Sequence, residues 1–267
     1  MAKTQKTRVS HLAQMKKDGR KIVAVTAYDC SVARIVDSCG VDVVLVGDSL
    51  GNVFQGLDGT VAVRMEDMIY HTRAVSRGVE RAHLCADMPF LSYQTDDRDA
   101  IKNAGNLLKR GGAESVKIEV GARRYTQTVR SLTDAGIPVV AHVGLCPQSV
   151  NLYGYKVQGD NPQSAGFIHG LALECREAGA VALVIECVPP ALASRITEAV
   201  DIPTIGIGSG GGCDGQVLVF NDLVGLSGPV PGFVKKYAEA GEIFATAVES
   251  YAREVRDGVF PPPETGE

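Results

Sequence analysis

Eight short runs rich in Val, Ile, Leu and Ala recur along the chain, at residues 22–27, 43–47, 83–86, 115–118, 139–143, 182–187, 204–207 and 217–220. Each is nearly continuous rather than alternating, the pattern of strands covered on both faces. Helix candidates lie between them, with the expected start and stop signals. Ser31 can cap a helix that stops at Gly40, and Asp96 opens one that stops at Gly111. Gly121 precedes a helix ending at Gly136, residues 163–178 are followed by Gly179, and Pro189-Pro190 opens another. Residues 233–256 read as a long final helix. Strands separated by helices imply parallel pairing through right-handed crossovers, and eight such units close into a (β/α)8 TIM barrel of about 250 residues. A doubly wound sheet would carry a glycine-rich phosphate turn after its first strand, and Ala27-Tyr28-Asp29-Cys30 is nothing like one. No linker interrupts the pattern, so residues 1–267 read as one barrel domain. The amphipathic stretch 9–20 reads as a short N-terminal helix covering the barrel's bottom.

Composition narrows the function classes. Lys and Arg number 27 against 31 Asp and Glu, a net charge of −4, with no basic cluster, so nucleic acid is not an expected partner. No 18-residue stretch is free of charges and turn residues, so no membrane partner is expected. Lys3, Lys6 and Arg8 are not followed by an apolar stretch, so the start does not read as a secretory signal. Seven cysteines, an odd number with no Cys-x-x-Cys pair, argue against a disulfide framework and a zinc site, and fit a reducing cytoplasm.

In a barrel of this kind chemistry sits at the C-terminal ends of the strands. Those ends are rich in functional groups. Asp48-Ser49 follows the second run and Asp87 the third; Lys117 lies in the fourth and Glu119 follows it; His142 lies in the fifth and Glu186 in the sixth. Lys117 and Glu119, two apart, share a face, and an ionic pair pressed against the helices would be costly, so both read as facing the barrel mouth. Asp48, Asp87 and Glu119 offer only oxygen ligands, which suits Mg²⁺ better than zinc. Any one of them could instead cap a helix or pair with an arginine. Lys117 could hold a substrate carboxylate or simply pair with Glu119. His142 could donate a hydrogen bond or shuttle protons, or be a satisfied half-buried histidine. Glu186 ends an apolar strand, where desolvation would raise its pKa toward that of a useful base. The run Gly206–Gly212 could wrap an anion, a weak signal alone. Residues 144–161 are too long for an ordinary connection and read as a lid or an oligomer contact. Cys146 and Cys187 flank the mouth without a partner base.

Several strings occur in order: Thr26-Ala27-Tyr28-Asp29, Val46-Gly47-Asp48-Ser49-Leu50-Gly51, Ala86-Asp87-Met88-Pro89-Phe90, Val116-Lys117-Ile118-Glu119, His142-Val143-Gly144-Leu145 with Pro147-Gln148-Ser149, and Cys213-Asp214-Gly215-Gln216. As a set, over residues 9 to 262, they resemble the ketopantoate hydroxymethyltransferase (3-methyl-2-oxobutanoate hydroxymethyltransferase) family. The resemblance implies one Mg²⁺ per subunit, 5,10-methylenetetrahydrofolate as one-carbon donor, 3-methyl-2-oxobutanoate as acceptor, a place in pantothenate synthesis, and a homo-oligomer, typically a decamer. By resemblance Asp48, Asp87 and Glu119 are the metal ligands and Glu186 the proton acceptor. Asp48, Ser49, Asp87, Lys117 and His142 are the expected substrate contacts. Three carboxylates, one lysine and a divalent cation would sum to zero charge before substrate arrives, with Glu186 left out of the count. The chemistry implied is removal of the keto acid's C3 proton to a metal-stabilised enolate, which attacks the folate methylene. Two departures stand out: Asn221-Asp222 where the pattern has His-Asp, and Gly211-Gly212 where a proline-containing pair is usual. A carbon–carbon lyase or phosphoenolpyruvate mutase-like Mg²⁺ enzyme is the alternative on a similar barrel, though its Lys-Lys-Cys-Gly-His type loop is missing from this sequence. A non-catalytic metabolite-binding barrel is the alternative of another class.

Overall fold

The computed structural model describes residues 5–262. Its contacts divide the chain into two compact units, residues 1–219 and 220–267. The first is a closed barrel of eight parallel strands in sequence order: β1 (Ile22–Thr26), β2 (Val43–Val46), β3 (His83–Asp87), β4 (Ser115–Glu119), β5 (Val139–Gly144), β6 (Ala182–Glu186), β7 (Thr204–Ile207) and β8 (Gly215–Leu218). Around it run α1 (Val9–Lys17), α2 (Cys30–Ser38), α3 (Leu50–Val53), α4 (Met65–Ser76), α5 (Asp97–Asn106, continued by a π turn at Leu107–Gly111), α6 (Arg124–Asp134), α7 (Val150–Tyr153), α8 (Pro162–Glu177) and α9 (Pro190–Ala199).

The two-residue side-chain period explains why an uninterrupted apolar run still has two faces. Val116 and Ile118 in β4, and Leu183 and Ile185 in β6, are buried on the outward face. The inward set begins with an apolar layer at the bottom: Ile22, Ala24, Val43, Cys85, Val140 and Ala182 form one cluster. Leu12 and Met15 of α1 belong to that cluster, so α1 plugs the bottom as expected, though it ends at Lys17 rather than residue 20. Further up the same inward face the residues turn polar, and that change of character positions the site.

Local details depart from the sequence reading or add to it. The cap of α2 is Asp29, not Ser31: its Oδ1 accepts the backbone N–H groups of Ser31 and Val32 at 2.7 and 2.9 Å. The helix α4 had no cap residue to announce it, because it follows Arg64; Asp67 reaches back to accept the Arg64 N–H instead. No helix joins β7 to β8, and β8 begins at Gly215, two residues earlier than its apolar run. Gly215 lies opposite Ile22, and a Cβ there would sit 2.3 Å from the Ile22 carbonyl oxygen, so only glycine closes the barrel at that seam.

The second unit holds α10 (Phe220–Leu223) and α11 (Ala240–Arg256). The final helix starts at Ala240, not residue 233. Within this unit the N–H groups of Tyr237 and Ala240 bond the Leu223 and Val224 carbonyls, both at 2.8 Å, which diverts them from a helical ladder. Ile243, Phe244, Val248, Tyr251 and Val255 fall on one face of α11, and all are exposed in the single chain. Among the described residues no helix is long and apolar enough to cross a membrane.

Ile118, wholly buried on the outward face of β4, tests the barrel's packing. Ile118→Ala is expected to lower unfolding stability by about 2–5 kcal/mol in urea melts, the cost of a core cavity.

Candidate active site

The seven residues singled out at the strand ends line one cavity of about 120 Å³ at the barrel mouth. Asp87, Lys117, Glu119, His142 and Glu186 lie on the inward face of β3, β4, β5 and β6; Asp48 and Ser49 sit on the turn between β2 and α3. Asp48, Asp87, Lys117, Glu119 and His142 are all buried, with Lys117 only 6% exposed. The Glu186 side chain remains 18% exposed.

Charge is distributed through specific partners. Asp87 is shared: its Oδ1 lies 2.9 Å from Lys117 Nζ, and its Oδ2 accepts the Asp48 N–H at 3.1 Å. Lys117 therefore pairs with Asp87, not with Glu119. His142 stands between two carboxylates, with Nε2 3.2 Å from Glu186 Oε2 and Nδ1 3.9 Å from Glu119 Oε1. Ser49 Oγ lies 2.9 Å from the Tyr28 hydroxyl.

Burial and mutual repulsion perturb these groups. Desolvation, then the charge of Asp87, pushes the Asp48 carboxyl up to about 7. Desolvation, then the charge of Asp48, holds Glu119 well above the usual carboxylate range. Burial alone would depress Lys117, but Asp87, Asp48 and Glu119 outweigh it and hold the ammonium firmly charged. Cys187 is pushed up to about 11 by burial and the charge of Glu186, and burial raises Cys146 too, so neither is a thiolate near neutral pH.

A residue with no assigned role organises the carboxylates. The Gln148 side-chain amide donates to Asp48 Oδ2 at 2.8 Å and to the Met88 carbonyl at 2.9 Å. Its backbone N–H donates to Glu119 Oε2 at 3.0 Å. Its Oε1 accepts from the Tyr93 hydroxyl at 2.9 Å and from Gln94 Nε2 at 3.0 Å, and the Glu119 N–H donates to the Tyr93 oxygen at 3.0 Å. Gln148 stands in the Pro147-Gln148-Ser149 string, but Tyr93 has no sequence signal beyond being an aromatic in a loop. Of the glycine-rich run, Ile207 faces the cavity, while Gly210 packs on Pro190.

Among the described residues no three His, Cys, Asp or Glu side chains form a cage ready for a metal ion. The donor chemistry nonetheless suits a hard cation. Asp48 and Asp87 adjoin, the charge of Asp87 adds to the cost of ionising Asp48, and all their ligating atoms are oxygens. Protons offset that crowding in the protein alone, and a divalent ion held by one or two carboxylates would do the same.

Carboxylates, a lysine and a histidine gathered at the C-terminal mouth stand where enzymes of the (β/α)8 barrel class carry their active sites. Phosphonopyruvate hydrolase, solved with oxalate and Mg²⁺, shares this fold with a TM-score of 0.62 at 14% identity, over 97% of this chain and 90% of that one. The ketopantoate hydroxymethyltransferase family profile matches residues 6–263. A 3-methyl-2-oxobutanoate hydroxymethyltransferase of Clostridium novyi is 49% identical over 97% of this chain and 94% of its own length. One of Geobacter sulfurreducens is 52% identical over 94% of both. The chain belongs to the ketopantoate hydroxymethyltransferase family.

The Asp48 shift has a sign that can be measured. In chelator, folded protein retains a proton on Asp48 that the unfolded chain releases near its ordinary pKa of 3.8. Stability is therefore expected to fall as pH rises from about 4 to about 7, and Glu119 contributes in the same direction. Urea melts across that window should show a shallower fall in Asp48→Asn.

Proposed function

We propose that this enzyme transfers a hydroxymethyl group from 5,10-methylenetetrahydrofolate to 3-methyl-2-oxobutanoate, giving 2-dehydropantoate for pantothenate synthesis. The observation that carries it is the pairing of Glu186 and His142 at 3.2 Å beside the Asp48–Asp87–Lys117 cluster in one cavity. Family membership and the relatives' names support the keto acid and the group transferred; the folate donor comes from the resemblance of the sequence strings.

The reaction needs a carbanion next to a ketone. Glu186 Oε2 is the atom that takes the C3 proton; its partial exposure leaves it reachable by substrate. His142 Nε2, 3.2 Å from Glu186 Oε2, faces the same cavity and is placed to donate a hydrogen bond to the carboxylate or to substrate. Lys117 balances the negative charge that the keto acid brings against Asp48, Asp87 and Glu119. Ser49 faces the keto acid from the β2 turn. A divalent cation, for which Mg²⁺ is the expected ion, would be held by Asp48 and Asp87 with Glu119 on the adjoining strand, and supplies Lewis acidity to the keto acid's oxygens when bound. The C3 electron pair then attacks the folate methylene. One carbon–nitrogen bond of the methylene breaks as that C–C bond forms, its nitrogen taking the proton from Glu186. Water breaks the other, its hydroxyl going to the methylene carbon and its proton to the second nitrogen, leaving tetrahydrofolate and the hydroxymethylated acid. Tyr93 and Gln148 keep the carboxylates of Asp48 and Glu119 in place while charge moves.

A cytoplasmic homo-oligomer is part of this reading. The open apolar face of α11 supports the oligomer, because a single chain leaves Phe244 and Val248 58% and 65% exposed. Sedimentation velocity is expected to give an assembly of many subunits, ten by family resemblance; a monomer at micromolar concentration would overturn that part.

Glu186→Gln is expected to retain 3-methyl-2-oxobutanoate, measured by calorimetry in Mg²⁺ buffer. It should lose C3 proton exchange with deuterium oxide by about 10²–10⁴-fold, the usual worth of a positioned base. Exchange at the wild-type rate would remove Glu186 from the role of base.

A further inference from the structure

Thr60 carries no role in the site as described so far. It lies in the loop between α3 and α4, it is 4% exposed, and it lines the catalytic cavity. Its Oγ1 is buried and has no hydrogen-bond partner. Thr72 and Ser92 also have buried hydroxyls without partners, but neither lines the cavity. A buried hydroxyl left unpaired is costly, so one that faces a ligand cavity finds its partner in the ligand.

The loop that carries Thr60 is firmly seated. The Leu57 N–H bonds the Gly51 carbonyl at 2.8 Å, and the Val63 N–H bonds the Thr60 carbonyl at 3.1 Å. Gly51 makes the seat: a Cβ there would lie 2.8 Å from both the Gly59 carbonyl oxygen and Val63 Cγ2. From the other side, the Tyr155 hydroxyl stands 3.7 Å from where a Gly59 Cβ would be. Thr60 is thus held in place before any ligand arrives, which lowers the cost of using it.

We propose that the Thr60 hydroxyl donates a hydrogen bond to the carboxylate of the bound 2-oxo acid and is a substrate-binding residue of this site. The direction follows from the chemistry of the ligand. A 2-oxo acid with a hydrocarbon tail has only acceptor oxygens, so the hydroxyl must be the donor. A charged acceptor makes the stronger bond, which selects the carboxylate over the ketone. Other donors that line the cavity already stand beside protein oxygens: Lys117 Nζ is 2.9 Å from Asp87, Ser49 Oγ 2.9 Å from the Tyr28 hydroxyl and His142 Nε2 3.2 Å from Glu186, while Asp48, Asp87, Glu119 and Glu186 offer oxygens to an anion. The inference rests on the keto-acid reading of the cavity.

Calorimetry with 3-methyl-2-oxobutanoate, on the intact protein in Mg²⁺ buffer, tests it. Thr60→Val keeps the β-branched shape and removes the hydroxyl; Thr60→Ser keeps the hydroxyl. The valine variant is expected to bind roughly 10- to 100-fold more weakly, the range for losing a hydrogen bond to a charged group. The serine variant should bind within a few-fold of wild type. The loss should appear in KM, with kcat changed by far less. The melting temperature of the unliganded valine variant should not fall, since the hydroxyl has no partner within the protein. Should the valine variant misfold, Thr60→Ala makes the same deletion without added bulk. Wild-type affinity in the variants lacking the hydroxyl, or equal weakening in Thr60→Ser, overturns the assignment of Thr60 alone. A wild-type protein that takes up no 3-methyl-2-oxobutanoate overturns the functional reading and this one with it.

Discussion

Asp87 is the group on which the site's electrostatics turn. One oxygen holds the Lys117 ammonium and the other holds the backbone of Asp48. A buried lysine survives as a cation only where carboxylates compensate its desolvation. A buried carboxylate pair survives only where a cation or a proton relieves it. Asp87 meets both conditions at once, and its placement at the last residue of β3 makes that possible. The strands beside it bring Asp48 from one side and Lys117 with Glu119 from the other. The cluster is a consequence of strand order as much as of residue type.

The barrel was legible because its evidence is repetitive. Eight apolar runs, each ending near a polar side chain, carry the same message, and an error at one end leaves the topology untouched. The inward face of Lys117 and Glu119 followed from their spacing of two. The details that escaped are those fixed by a single contact. Asp29 displaces Ser31 as cap because its carboxylate accepts two amides. The start of β8 is set by how closely Gly215 approaches Ile22, which no local pattern encodes. The delay of α11 comes from hydrogen bonds to residues well over ten positions away along the chain.

Site residues divide along the same line. The carboxylates, the lysine and the histidine stand out in sequence because charge in an apolar strand is expensive and needs a reason. Gln148, Tyr93 and Thr60 lie in loops, where polar and aromatic residues are ordinary. Their importance is visible only when burial is known. The partner of Lys117 was also beyond sequence reading, since Asp87 and Glu119 are both near it and only the register of β3 against β4, Asp87 opposite Lys117, decides.

Gln148 uses its whole hydrogen-bonding capacity. Two donors and a doubly accepting oxygen are engaged on the side chain, and its amide N–H is engaged as well. A glutamate of the same shape would have no hydrogen to offer Asp48 or Met88 and would set a further anion against them. This crossbar begins the long connection after β5, so the connection and the two acids are mechanically one part. Drawing the segment outward would unfasten Asp48 and Glu119 together, and seating it would refasten both. Any guest that shifts the acids must therefore be felt along the loop that overhangs them.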